Sequence, residues 1–192
     1  MFRLFKNLNI KNSKPEDKRK DVEDYLVDAI YAFENRQLEE AAGLFELIGR
    51  AVPEHPLAYL MLGRCFLEMK EFERAANAFF QHLSIAPNSV EGLIYLGLTY
   101  YECGELESAQ ERFEQAISLK RDSLLVKENL AITRLASGNL KSALDDLIAL
   151  YEESPDDYNI IELIVLTLGR LGKWEAAKQY MHKMEKANLA DQ

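Results

Sequence analysis

The 192-residue chain carries a net charge of -9, and that acidic balance speaks against nonspecific nucleic-acid binding, which needs a basic footprint. Hydrophobic residues make up 48%, enough for a sizeable core and too many for a chain disordered throughout. Two cysteines, Cys65 and Cys103, suggest no disulfide framework and fit a reduced, cytoplasmic compartment.

The first twenty residues hold seven Lys/Arg and two Asp/Glu, giving +5, whereas the remaining 172 hold 16 and 30, giving -14. A basic arm therefore precedes an acidic body. The opening Met-Phe-Arg-Leu-Phe-Lys is too short and too charged for a secretory apolar region. Met1, Leu4, Phe5 and Leu8 follow helical spacing, with Arg3, Lys6 and Asn7 on the other side. Leu4, Phe5 and Leu8 are the candidate anchors of this arm. Lys11 to Asp21, with Pro15 among them, read as a polar linker, so that residues 1–21 form arm and linker together. Three fates are open for residues 1–12: a frayed tail, docking into a groove of the body, or weak contact with an anionic membrane surface.

From residue 22 onward the chain repeats itself every 34 positions. Pro53 and Pro87 are 34 apart, and Pro155 lies twice that beyond Pro87. Ala41, Ala75, Ala109, Ala143 and Ala177 form an unbroken series, as do Phe45, Phe79, Phe113, Leu147 and Met181. Leu38, Phe72, Leu106, Leu140 and Trp174 make a third, and Gly104, Gly138 and Gly172 a fourth. The register divides the body into 22–55, 56–89, 90–123, 124–157 and 158–192, expected to form a single domain.

Each unit reads as two short helices. Leu93, Leu96, Gly97 and Tyr100 share one helical face before the glycine, and Leu106, Ala109, Phe113, Ala116 and Ile117 share another after it. Gly104 suits a left-handed turn between them. Pro87 ends a second helix, and Asn88 or Ser89 caps the next; Asp122 or Ser123, then Asp156 or Asp157, offer the same one and two units later. The most apolar run, Leu57 to Met69, contains Arg64 and Glu68 and is too short to span a membrane.

A 34-residue helix-turn-helix with a small eighth residue (Gly63, Gly97), an aromatic at eleven (Phe66, Tyr100), Ala at twenty and Phe at twenty-four resembles the tetratricopeptide repeat. The third unit is the nearest to that pattern. The first has Asp28 where Leu is usual, the fourth has Lys127 and Arg134 at apolar or aromatic places, and the fifth lacks its closing proline. The resemblance implies an all-α fold, a right-handed superhelical solenoid of about ten antiparallel helices. It also implies that first helices line a concave groove.

Mapped by that resemblance, the partner-binding groove comprises Leu26, Ile30 and Phe33; Leu57, Leu60, Met61, Arg64 and Leu67; Ile94, Tyr95, Leu98 and Tyr101; and Leu125, Glu128, Ile132 and Leu135. Most are apolar, while Tyr59, Leu62 and Phe66 spend a second face on packing inside the array. A helix apolar on every side is either buried or awaits a partner. The carboxylate clamp of chaperone-binding members is missing, because its places read Leu26, Ile30, Met61, Glu91 and Tyr95.

Enzymatic motifs are absent. His55, His82 and His182 fall in different units without a second ligand at metal-binding spacing, so neither metal nor cofactor is expected. There is no GxxxxGK[ST] and no GxGxxG. Glu152, Glu153, Asp156 and Asp157 read as an acidic rim serving capping and solubility, and Trp174, at a packing position, reads as core. The expected function is that of a non-enzymatic adaptor or chaperone-like module, binding an apolar peptide or amphipathic helix of another protein. One alternative is a self-assembling scaffold, the chain being monomer or homodimer. Another is a regulator of a membrane-associated assembly acting through the arm. Lys178, Gln179, His182, Lys183 and Lys186 give the last helix a polar outer side that would cap the array against open-ended stacking.

Overall fold

Ala41, Ala75, Ala109 and Ala143 have no exposed surface, and neither do Phe45, Phe79, Phe113 and Leu147 four positions later. Small residues let backbones approach, and the large ones one turn on fill the space between them. That pattern requires paired helices, and the computed structural model contains them. It describes residues 15–120 and 123–190, with side chains over 22–120 and 123–183. In chain order the helices are α1 (Pro15–Glu34), α2 (Leu38–Ala51), α3 (Pro56–Glu68), α4 (Phe72–Ile85), α5 (Val90–Glu102), α6 (Leu106–Leu119), α7 (Leu124–Ala136), α8 (Leu140–Glu153), α9 (Tyr158–Arg170) and α10 (Trp174–Ala190). No strand occurs among the described residues.

Arg36, Lys70, Gly104, Gly138 and Gly172, each 34 from the next, close the turn inside every pair with φ of 62°, 60°, 78°, 84° and 72°. Glycine pays no steric cost there, whereas Arg36 and Lys70 do. The expected capping residues act at two of the three helix starts. Ser89 Oγ accepts from Gly92 N–H at 3.1 Å, and an Asp157 carboxylate oxygen accepts from Asn159 N–H at 2.9 Å. Ser123 stands at the start of α7 without a side-chain cap bond, and Asp122 lies outside the described residues. His55 supplies an unexpected cap, its Nδ1 accepting from Ala58 N–H at 3.2 Å.

One expectation about organisation changes. The helix α1 begins at Pro15, so residues 15–21 are its first turns and not a linker. Proline suits a first turn because its missing N–H would have no intrahelical partner there. The chain packs as two compact units, Met1–Thr99 and Tyr100–Gln192. Repeats that touch only their neighbours build local cores, so no single core has to run through all of them.

In the N-terminal unit α1 packs on α2, α2 on α3 and α3 on α4. Gly63 lies so close to Phe79 that a Cβ would fall 2.5 Å from its ring, which is why a small eighth residue is needed. In the C-terminal unit α6 packs on α7, α7 on α8, α8 on α9 and α9 on α10. Leu144, Leu147, Leu150, Ile160, Ile164 and Leu168 form its core. The two basic departures of the fourth repeat are accommodated by ion pairs. Arg134 on α7 reaches Asp146 on α8 at 2.6 Å and Glu114 on α6 at 2.9 Å, and Lys127 reaches Glu153 at 2.6 Å.

Candidate partner-binding face

The expected groove residues do not share one environment. In the N-terminal unit, Leu26, Ile30 and Phe33 on α1, Arg64 and Leu67 on α3, and Ile94, Tyr95 and Leu98 on α5 are half-buried. Leu57, at the start of α3, is exposed. Leu60 and Met61, assigned to the same groove, are buried at 5% and 7% exposure. Leu57, Leu60, Met61, Arg64 and Leu67 share one face of α3 by their three- and four-residue spacing, so the helices packed on α3, and not its turn, close Leu60 and Met61.

Arg64 stands at the centre of this face. Its guanidinium carbon lies 4.9 Å from the centre of the Phe33 ring and 5.2 Å from that of Tyr95, so it joins α1, α3 and α5. Tyr95 in turn stacks on the fully buried Phe79, with ring centres 5.6 Å apart and planes 8° from parallel. The guanidinium also approaches Met61 Sδ at 3.3 Å. Among the described residues Arg64 makes no ion pair. A planar cation fixed between two rings keeps N–H donors for a carboxylate, because stacking uses its faces and leaves its edge.

In the C-terminal unit, Tyr101, Glu128 and Ile132 are half-buried, Leu125 is 58% exposed, and Leu135 is buried. Leu166 on α9, 52% exposed, occupies in the fifth repeat the place of Ile30, Arg64, Leu98 and Ile132. The same 34-step count finds it once the mapping is carried past the fourth repeat. Leu4, Phe5 and Leu8 lie outside the described residues.

Two further expectations are corrected. Trp174 is not core; it is 64% exposed, its ring resting near Gly169. A core assignment by register fails because its counterparts Leu38, Phe72, Leu106 and Leu140 are themselves only half-buried. Cys65 is buried and Cys103 is exposed, one residue past the end of α5. Met181 is 49% exposed, so the outer side of α10 is not purely polar. His82 is buried, with Nδ1 2.8 Å from Pro56 O; a carbonyl can only accept, so this nitrogen carries the hydrogen. Among the described residues no group of three or more His, Cys, Asp or Glu is placed to hold a metal ion. None of the described helices is long and apolar enough to cross a membrane.

The tetratricopeptide-repeat family model matches residues 26–90 and 96–158. The chain belongs to the tetratricopeptide-repeat family. As a tetratricopeptide-repeat protein it shares its fold with solved structures of low sequence identity. MamA 41-end from Desulfovibrio magneticus RS-1 superposes with a TM-score of 0.83 at 13% identity, over 88% of this chain and 96% of that one. A crystal structure of MamA protein gives 0.80 at 16% identity, over 86% and 91%. YrrB, described as a TPR protein with an unusual peptide-binding site, gives 0.77 at 17% identity, over 90% and 89%. No curated protein matches the chain. Tetratricopeptide repeats form protein-interaction scaffolds and are generally non-enzymatic.

Proposed function

We propose that this protein is a non-enzymatic, cytoplasmic adaptor or chaperone-like module that holds an apolar peptide or amphipathic helix of another protein. The guest lies against the first helices of the N-terminal unit. The observation that carries this reading is Arg64, fixed between Phe33 and Tyr95 without an ion pair amid half-buried Leu26, Ile30, Leu67, Ile94 and Leu98. Such a face matches a guest that presents apolar side chains around one carboxylate.

The magnitudes support several weak contacts acting together. Residues already half covered yield less than the ~1.5–3 kcal/mol of full burial. A hydrogen bond from a held guanidinium to a carboxylate adds about 1.5–3 kcal/mol, because its donor is charged. That YrrB is described as having a peptide-binding site supports peptide capture by a chain of this fold.

A displayed random-peptide library panned on the full chain supplies the test. Expected binders are apolar with one acidic residue, and Arg64→Gln should weaken them roughly tenfold, the loss of one charge-assisted hydrogen bond. Ile94→Glu plus Leu98→Glu should abolish binding. Binders that hold both variants as tightly as the wild type would show that this face is not the site.

A further inference from the structure

The 34-residue register shows which surfaces one repeat presents to the next, and the first and last repeats leave theirs uncovered. The sixth and tenth positions of each first helix face backward. In the second to fifth repeats the tenth is closed: Cys65, Thr99 and Thr167 are 0% exposed and Thr133 1%. Their counterparts in α1 are Val27 and Tyr31, exposed at 67% and 66%. The twenty-fourth position faces forward, and Phe45, Phe79, Phe113 and Leu147 are all at 0%. Its counterpart in α10 is Met181 at 49%, one stripe with Trp174 at 64% and Lys178 between them. Contact between these two positions is seen directly where Phe79, twenty-fourth in its repeat, stacks on Tyr95, sixth in the next.

Charge matches as well. Glu23, Asp24, Asp28 and Glu34 surround Val27 and Tyr31, and no base occurs from Val22 to Asn35. Across Lys173–Lys183 the last repeat carries three lysines against Glu175 alone. Lys178 pairs with that Glu175 at 2.8 Å on the open surface, and Lys183 lies over Tyr151 and Tyr180. An exposed i,i+3 pair is held by little energy and exchanges readily for an incoming carboxylate.

We propose that these faces are halves of a self-association site: the α10 face of one copy receives the α1 face of a second, in the register that joins neighbouring repeats within a chain. Val27 then meets Met181, as Tyr95 meets Phe79. Tyr31 is larger than the threonines it replaces, and the flexible methionine in place of phenylalanine makes room for it. Lys173 and Lys178 face Asp24 and Asp28. The contact uses different side chains from the guest-binding face and stands or falls apart from it.

Sedimentation velocity of the full chain from micromolar to sub-millimolar concentration tests the proposal. The mean mass should rise with concentration at low salt and fall as salt is added, since exposed charges are screened. Tyr31→Glu and Met181→Glu should each raise the dissociation constant at least tenfold while leaving the circular dichroism spectrum unchanged. Mixing the two monomeric variants should restore a one-to-one dimer, because each retains the half the other lost. A wild type that stays monomeric throughout, or a mixture that does not dimerise, overturns the proposal. So does loss of association when Leu4, Phe5 and Leu8 are all changed to Glu, which would assign the contact between copies to the arm and not to the α1 face.

Discussion

Cys65 sits where no solvent reaches it, and burial, reinforced by Glu68 and opposed by Arg64, pushes its thiol from 9.0 up to about 12. In the unfolded chain the thiol ionises at its ordinary value, so the stability tied to its protonated form is complete below pH 9 and is lost as pH rises toward 12. Urea titrations on either side of that ordinary value should show the wild type losing stability faster than Cys65→Ala. Equal pH slopes would mean the thiol is not sheltered. Gly63 poses a packing test. Alanine is the better helix former by ~1 kcal/mol, yet its methyl would lie 2.5 Å from the ring of a Phe79 with no free space to move into. Gly63→Ala should therefore destabilise by about 1–3 kcal/mol, the usual cost of overpacking a closed core. A denaturation midpoint at or above wild type would show that Phe79 can yield.

Between elements, the turns carry the clearest local tension. Five residues in one register adopt positive φ, and only three are glycine. Arg36 has a compensation, an ion pair with Glu68. Lys70 is exposed and enters none of the salt bridges among the described residues. Lys70→Gly should stabilise by about 0.5–1 kcal/mol, the relief of left-handed strain less the added freedom of the unfolded chain. An unchanged or lower midpoint in chemical denaturation would contradict this. Arg134 shows how an element tolerates an unusual residue. Burial would lower its pKa, but hydrogen bonds and charge from Asp146, then Glu114, raise it, so the guanidinium stays charged where an aromatic is usual. Those partners are 12 and 20 residues away, which is why sequence register alone marked Arg134 as a departure.

At the scale of the whole molecule, thirty acidic against sixteen basic residues from position 21 onward set up a self-repulsion that exposed ion pairs do not cancel. Added salt should therefore raise the melting temperature, because screening acts on the repulsion over the whole surface. A fall with salt would show that ion pairs such as that of Arg134 dominate. The residue series alone were enough to determine helix pairs, their turns, the buried Ala and Phe rows and hence the family, because each depends on contacts that recur at a fixed step. Three outcomes depended on tertiary packing: that Leu60, Met61 and Leu135 are closed, that Arg64 is held between two rings, and that Trp174 and Met181 are open. A periodic pattern reports which surface a residue presents but not whether a neighbour arrives to cover it. Val27 and Tyr31 on α1, and Trp174 and Met181 on α10, are the positions that stay open.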